Sequence, residues 1–540
     1  MAEYKQVTVL FADVVHSMDI AATVGAERLR EIMTELADRC AAIVGRFGGT
    51  VGSFTGDGIM AVFGAPVALE DHAVRACLAG LAIQEETKQL AVDVNVRDRV
   101  ELGLRVGLNS GEVIAGEIGT GPFGYTTIGE QVGMAQRMES VASPGGVMLS
   151  ASTARLVADT AVLGERQLVH IKGASDPVPA HRLVGISERR GPVKRAESNL
   201  VGRRREMSVI AGLLDHAIEG HGSVARVVGP PGIGKSRLVR EVSVMAASRG
   251  VEVFTTFCES HASQIPFHAV GRLLRATNGV VGLDAQAARN ALRERVSDVD
   301  PEDLLLFDDL LGIADQGVQL PQIDPDARRR RLMALVNAAS LARQHPAVYV
   351  VEDVHWIDAV SESMLVDFLA VMAQTPSLVI VTYRPEYGGP LTQVSTLQPI
   401  ALEPLSDDES RALITELLGR DTSVVPIANM IAERAAGTPF FAEEIVRELA
   451  EQGVLRGKPR GYTSTAEVAE IRVPATLQAT IAARIDRLER SAKRTLSAAA
   501  VIGARFSLDL VTALGVEPSV DGLVAAQLID RVGVSSQREY

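Results

Sequence analysis

Two short runs of residues have the types and spacing for chemistry on a triphosphate. The first is Gly229-Pro-Pro-Gly232-Ile-Gly234-Lys235-Ser236, which fits GxxxxGK[ST] in full, after the apolar run VARVVG (224–229) and before the helical pattern SRLVREVSVMAA. Glycines let backbone N–H groups wrap phosphates at a helix N-terminus, Lys235 has the charge to neutralise β and γ phosphates, and the Ser236 hydroxyl can ligate Mg²⁺. Further on, VYVVEDVHWID places Glu352 and Asp353 at the end of an apolar strand, where one acid can hold the metal and the other orient water. Either acid suits either role. Arg384, at the tip of SLVIVTYR (377–384), is either a sensor of the γ-phosphate or a surface arginine.

The second is a pair of aspartates. Asp13 ends VTVLFAD (7–13), and Asp57 sits in a hairpin turn centred on Thr55-Gly56-Asp57-Gly58. In a β-α-β-β order such strands are commonly neighbours, so the two carboxylates can converge and hold Mg²⁺ or Mn²⁺, which prefer hard oxygen ligands, against a triphosphate. Asp-Gly is equally an ordinary hairpin turn.

Both sites need particular scaffolds. The first part of the chain predicts a β-α-β-β-α-β, ferredoxin-like order: strand 7–13, helix 25–46, the hairpin, a helix over about 67–90, then LGLRVGLNS (102–110) and EVIAGEIG (112–119) as paired strands turning at Gly111. A helix at 130–142 and a small β end at 166–185 complete a unit of 1–186. The segment 187–199 is charged, contains Gly and Pro and lacks periodicity, so it reads as a linker. The runs at 224–229, 347–353 and 377–384, with helical patterns between, predict a parallel α/β sheet within 200–400. Beyond it the pattern is almost wholly helical; the division into a helical lid at 401–470 and a winged-helix-like region at 471–540 is implied by a family resemblance alone. A longer parent chain is expected, because no closing element is evident before Tyr540.

The 540 residues give a prior of three to four domains at roughly 150 residues each. Hydrophobic residues at 47% and charged residues at 22% exclude wholesale disorder, collagen and coiled-coil rods. A net charge of −13 disfavours a non-specific polyanion binder, so no nucleic-acid partner is expected. Cys40, Cys77 and Cys258 are too scattered for a metal cluster or disulfide framework and read as buried thiols in a reducing compartment. No apolar run approaches the roughly 18 residues of a membrane span, and the start lacks the character of a signal peptide. A cytoplasmic protein without a membrane partner is the expectation.

The words around these sites bear family resemblances. LVGRRREM, GPPGIGKS, VVEDVHWID, VTYRPE, AGTPFFAEEIVREL and VPATLQATIAARIDRLERSAKRTLSAAAVIGARF resemble the regulatory P-loop ATPase modules of the STAND and AAA-like class in bacterial signalling proteins, over about 198–515. That resemblance implies a slow ATP-dependent switch followed by a helical lid and winged helix, with Pro439 at a lid turn that approaches nucleotide. FADVVHS, SFTGDGIMAVFG, LRVGLNSGEVIAGEIG and YTTIGEQVGMAQRME resemble, in order and spacing, the catalytic domain of class III nucleotidyl cyclases, over about 5–185. It implies conversion of ATP to 3′,5′-cyclic AMP and pyrophosphate. The metal aspartates map to Asp13 and Asp57, the transition-state arginine to Arg137, a phosphate-contacting arginine to Arg105 and a late lysine near the phosphates to Lys172. The adenine-recognising lysine position holds Ser53, its partner position Thr126, and the ribose-positioning asparagine position Gly133. Loss of one oriented hydrogen bond in a transition state costs about 2–4 kcal/mol, so a slow or poorly base-selective cyclase is expected. The family's sites form across a head-to-tail pair, implying a homodimer with Arg137 supplied by the second chain. The competing reading is a degenerate cyclase domain serving dimerisation or sensing; a transcription regulator would need a helix-turn-helix that is not evident in these 540 residues.

Overall fold

The computed structural model describes residues 3–54, 58–117, 125–128, 130–172, 176–187, 200–295, 299–315, 317–394, 397–464, 481–482, 485–486, 488–502, 506–525 and 528–529. The chain forms two compact units, Met1–Glu197 together with Ile471–Tyr540, and Ser198–Glu470.

The first unit runs β1 (Glu3–Val14), α1 (Ser17–Val24), α2 (Ala26–Arg46), β2 (Thr50–Phe54), β3 (Gly58–Phe63), α3 (His72–Asp98), β4 (Leu104–Glu117), β5 (Tyr125–Ile128), α4 (Glu130–Val141), β6 (Val147–Ser150), α5 (Ala151–Leu156), β7 (Ala161–Val169) and β8 (Val178–Ile186). The sheet order is β2-β3-β1-β4-β6-β8-β7, with β5 paired to β4. Its antiparallel β2-β3-β1-β4 part is the ferredoxin-like arrangement. β1 is buried on both faces, which explains its nearly unbroken apolar run. Leu10, Ala12 and Val14 point into a core with Ile32, Leu36 and Cys40 of α2 and Ala76, Cys77 and Ile83 of α3. Val7, Val9 and Phe11 alternate to the other face, where Ala135 of α4 covers them.

One expectation fails here. Residues 102–119 do not turn at Gly111; β4 passes straight through it and pairs with β1 from Leu104 to Ala115. The strand meets α4 closely at this glycine, where a Cβ would lie 2.8 Å from the Gln131 side chain.

The second unit contains α6 (Arg204–Ile218), β9 (Ser223–Val228), α7 (Lys235–Ser248), β10 (Glu252–Phe257), α8 (His268–Thr277), α9 (Ala285–Arg295), α10 (Pro301–Leu310), α11 (Pro325–Leu341), β11 (Ala347–Glu352), α12 (Ala359–Met372), β12 (Ser377–Tyr383) and β13 (Leu397–Ala401). Its sheet is parallel throughout, in the order β10-β11-β12-β9-β13. Every residue of β11 and β12 is buried, matching their continuous apolar sequences. β10 and β13 lack that signature and add two strands to the three expected. After the sheet come α13 (Asp407–Leu418), α14 (Val425–Ala435) and α15 (Pro439–Glu451), then a hairpin of β14 (Leu455–Lys458) and β15 (Gly461–Ser464) inside the region read as wholly helical. A reciprocal Ser406–Glu409 capping box starts α13.

The chain then returns to the first unit with α16 (Arg490–Ile502), α17 (Leu508–Ala513) and α18 (Asp521–Ala525). Asp486 receives the Lys5 ammonium of β1 and the Ala68 amide, both at 2.8 Å. No helix among the described residues is long and apolar enough to cross a membrane.

A polar chain runs through the first core: Thr8 Oγ1 lies 2.7 Å from both His72 Nδ1 and Ser110 Oγ, and Ser110 Oγ lies 2.9 Å from Thr153 Oγ1. Burial pushes the His72 imidazole down to about 4 from the ordinary 6.5. The unfolded chain therefore binds more protons between those values, and stability rises with pH across that window by about 3 kcal/mol from this group. Calorimetric melting from pH 4.5 to 7 should show His72→Asn, which cannot titrate, less pH-sensitive than wild type; an identical slope refutes the assignment.

Candidate functional site

In the first unit the register sets the geometry. Asp13, half-buried, ends β1 and stands directly opposite Gly58 on β3 and Arg105 on β4. Directly opposed residues in an antiparallel pair share a face with Cβ atoms about 4.5–5.5 Å apart, so Asp13 and Arg105 present their side chains together. The Arg105 Nε is buried and has no hydrogen-bond partner among the described residues. A buried guanidinium N–H of this kind needs an acceptor, and phosphate oxygens suit it. Asp57 directly precedes Gly58 and lies outside the described residues.

Alternate residues of β4 form the bed of α4. A Cβ on Gly107 would lie 2.0 Å from the Glu139 amide nitrogen and 2.4 Å from the Ala135 carbonyl, so strand and helix meet backbone to backbone. Two residues on, the buried Asn109 donates through Nδ2 to the Gln131 carbonyl and Oε1, both at 2.9 Å, and its Oδ1 accepts from Ser152 at 3.0 Å. These contacts fix the helix that contains Gly133 and Arg137, one turn apart on one face and both half-buried. Nothing lies within 4 Å of where a Gly133 Cβ would be. Ser53 pairs with Met60 on the β2–β3 hairpin, and Thr126 pairs with Gly116 in β5. Lys172 is exposed in the turn after β7, and β4, β6 and β8 separate that strand from β1 in the sheet.

In the second unit the phosphate loop follows β9. Gly232 and Gly234 have φ of +77° and +103°, conformations that L side chains rarely adopt. Lys235 starts α7, is 7% exposed, and donates through Nζ to the loop carbonyls of Gly229 (2.7 Å) and Pro230 (3.0 Å). Arg203 braces the loop from below, donating to the carbonyls of Ile233 (3.2 Å) and Glu403 (2.7 Å). Pro439 opens α15, whose Phe440 amide donates to the Gly232 carbonyl at 3.2 Å. The turn that opens α15 therefore sits on the loop.

Glu352 ends β11 at 5% exposure, and Asp353 follows in a left-handed conformation (φ 57°), its amide donating to Thr382 Oγ1 of β12 at 2.9 Å. Arg384 is 9% exposed with its guanidinium 6.0 Å from the Trp356 ring centre, so it is no surface arginine. A loop cradle of glycines with Lys235, Ser236, Glu352 and Asp353 has the donor set for a nucleotide triphosphate with its divalent cation. Among the described residues no group of three or more His, Cys, Asp and Glu could hold a metal ion alone. The three cysteines are free and buried; burial pushes the Cys40 thiol up to about 12 and raises Cys77 and Cys258 too, so all three are unreactive.

Gly107, Asn109, Arg203 and Thr382 were not singled out from sequence. Gly107 lies two residues after Arg105 and Thr382 two before Arg384, but all four act largely on backbone atoms, which residue type does not reveal.

Comparison with known proteins finds a similar domain in each unit. Residues 1–185 match the family model for the adenylate and guanylate cyclase catalytic domain, and residues 199–381 that for an AAA ATPase domain. Residues 406–455 match a domain of unknown function. An uncharacterized protein of Rhizobium meliloti (strain 1021) is 28% identical across 100% of this chain and 53% of its own length. An adenylate cyclase of Mycobacterium bovis is 30% identical over 171 residues, 32% of this chain and 38% of its own. This chain thus spans about half, or less, of those relatives. Among solved structures, the adenylyl cyclase CyaB from P. aeruginosa is 28% identical, with TM-score 0.33, over 35% of this chain and 98% of its own.

The close approach of α4 makes a stability contrast. Gly107→Ala, placing a methyl against backbone, should cost about 1–3 kcal/mol or more, whereas Gly133→Asn, into open space, should stay within about 0.5 kcal/mol. Urea unfolding followed by circular dichroism measures both; equal effects would refute the packing account. Lys235→Ala should weaken ATP binding to the second unit at least tenfold by calorimetry without lowering its melting temperature, and unchanged affinity would contradict the phosphate-loop assignment.

Proposed function

Starting from a chain in which an adenylate and guanylate cyclase catalytic domain is followed by an AAA ATPase domain, we propose that it converts ATP to 3′,5′-cyclic AMP and pyrophosphate in the cytoplasm, under the control of ATP bound to the second unit. The observation that supports this best is the cross-strand pair Asp13–Arg105, with the Arg105 Nε buried and in need of an acceptor.

The reaction joins the ribose 3′-oxygen to the α-phosphorus, releases pyrophosphate and frees the hydroxyl proton. Asp13 and Asp57 are the residues that would hold Mg²⁺ or Mn²⁺, which lower the pKa of the 3′-hydroxyl and offset charge on the leaving pyrophosphate. Arg105 donates to phosphate oxygens from the same sheet face as Asp13. Arg137 stabilises charge on the transferring phosphorus from the second chain of a head-to-tail homodimer, with Lys172 as a further cation for the phosphates. Ser53 and Thr126 line the base site as short hydroxyl side chains, a set that selects weakly between adenine and guanine. Gly133 offers the ribose no hydrogen bond.

A second reading has its own observation. The space beside Gly133 is open, so packing does not require a glycine there, and a side chain that orients ribose is absent where one would fit. On that reading the domain dimerises or senses nucleotide without turnover, and the ATPase is the working part.

The assay is product formation by dimeric protein with ATP and GTP in separate reactions, each with Mg²⁺ and with Mn²⁺. Wild type should release cyclic AMP, Asp13→Ala and Asp57→Ala should abolish it, and Arg105→Ala should lower kcat about 10²–10³-fold. Trace product identical in wild type and Asp57→Ala would overturn the enzyme reading. Ser53→Lys combined with Gly133→Asn should raise turnover and adenine selectivity; an unchanged rate would show that these positions do not limit it.

A further inference from the structure

The second unit contains a cavity of about 420 Å³ that no part of the nucleotide chemistry uses. Sites for drug-sized ligands span roughly 300–1,000 Å³. It lies among α8, α10, α11, α12 and β11, and its inner wall includes Leu273, Leu274, Phe307, Met333, Tyr349 and Phe368, all buried. Exposed Ala338 and Ala339 of α11 stand at its edge, so it has a way in from solvent.

We propose that this cavity is an effector site for an uncharged, mainly apolar small molecule, and that its occupancy is coupled to nucleotide binding in the same unit. The chemical class follows from the polar groups on the lining, which already serve the protein. Thr277 Oγ1 and Asn278 Nδ2 both donate to the Leu274 carbonyl, at 3.1 and 2.8 Å, and Ser340 Oγ donates to the Val336 carbonyl at 2.7 Å. The Arg343 guanidinium donates to the His345 carbonyl at 3.0 Å, pairs with Glu252 and stacks on Phe254. A charged ligand would lose its hydration against an apolar wall and gain no dedicated counter-charge, whereas an apolar one loses nothing.

The coupling follows from where the walls lead. Tyr349 is three residues before Glu352 on β11. Met364, Leu365 and Phe368 belong to α12, whose N-cap is Asp358, five residues beyond Asp353. That carboxylate, 3% exposed, accepts from the Ser361 amide at 2.9 Å and also from the amides of Phe267 (2.9 Å) and Ala269 (3.4 Å) at the start of α8, the opposite wall. Ser361 Oγ adds a bond from the Val270 amide at 3.2 Å. A molecule wedged between α8 and α12 therefore loads a clamp built into the VVEDVHWID segment. Effector and ATP must then alter each other's affinity by one shared factor.

The test uses the full chain with N-phenyl-1-naphthylamine, an uncharged probe that fluoresces in apolar sites. Saturable binding is expected, with the anionic 1-anilinonaphthalene-8-sulfonate at least tenfold weaker. Ala339→Trp at the exposed edge and Leu273→Trp in the wall should each weaken the neutral probe at least tenfold, with ATP binding by calorimetry reporting that each variant is folded. Saturating probe should shift the ATP dissociation constant at least about fivefold, and ATP should shift the probe's equally. Absence of saturable binding, or binding that both variants leave intact, overturns the site; equal affinity for the anion overturns the ligand class; an unchanged ATP affinity overturns the coupling. None of these readouts depends on cyclase turnover, so failure here and failure of the cyclase reading are separate results.

Discussion

The first unit depends on how closely α4 can lie on β4. At Gly107 strand and helix touch through their backbones, and one added methyl would occupy the space of the Glu139 amide. Hydrogen bonds from Asn109 to Gln131 then fix the near end of the helix along the strand. Because β4 also places Arg105 opposite Asp13, a single strand supports two features at once: the cross-strand Asp13–Arg105 pair, and the helix that contains Gly133 and Arg137. Small errors in this packing would be transmitted undiminished, since side chains in a close-packed interior have little room to absorb them.

The second unit uses a different device. Nothing there relies on one contact; instead every strand end adjacent to the phosphate loop is tied to a neighbour. Arg203 holds the loop carbonyl of Ile233, Phe440 holds that of Gly232, and Thr382 holds the amide of Asp353. These bonds tie together stretches of sequence that are far apart in the chain. Local order of this kind makes phosphate binding inexpensive in entropy, because the donors are already placed.

How much of this was legible beforehand varies with the physics involved. The phosphate loop was plain because its chemistry needs one residue type at each of several fixed positions. The ferredoxin-like order was legible from periodicity, whereas the continuation of β4 through Gly111 was not: glycine between two strand-like runs reads as a turn, and its close approach to Gln131 mid-strand is not visible in the sequence. β10 and β13 escaped notice because Glu252–Phe257 and Leu397–Ala401 are more polar than the two central strands. Arg384 could be read two ways, and its burial beside Trp356 removes the surface reading. Bracing residues such as Asn109 and Thr382 act on backbone atoms, which every residue possesses, so sequence alone gives them no signature.

The return of the chain after residue 470 to the unit it left at residue 197 has a consequence for biosynthesis. Lys5 precedes the second unit and its carboxylate partner Asp486 follows it, with 470 − 198 + 1 = 273 residues of that unit made in between. At about 5–20 residues per second, ribosomal elongation takes on the order of 15–55 s to cross that stretch. During that interval Asp486 is not yet available, so any folding of β1 at that stage proceeds without this ion pair. Vectorial synthesis therefore separates the making of the sheet from the arrival of the segment that carries Asp486.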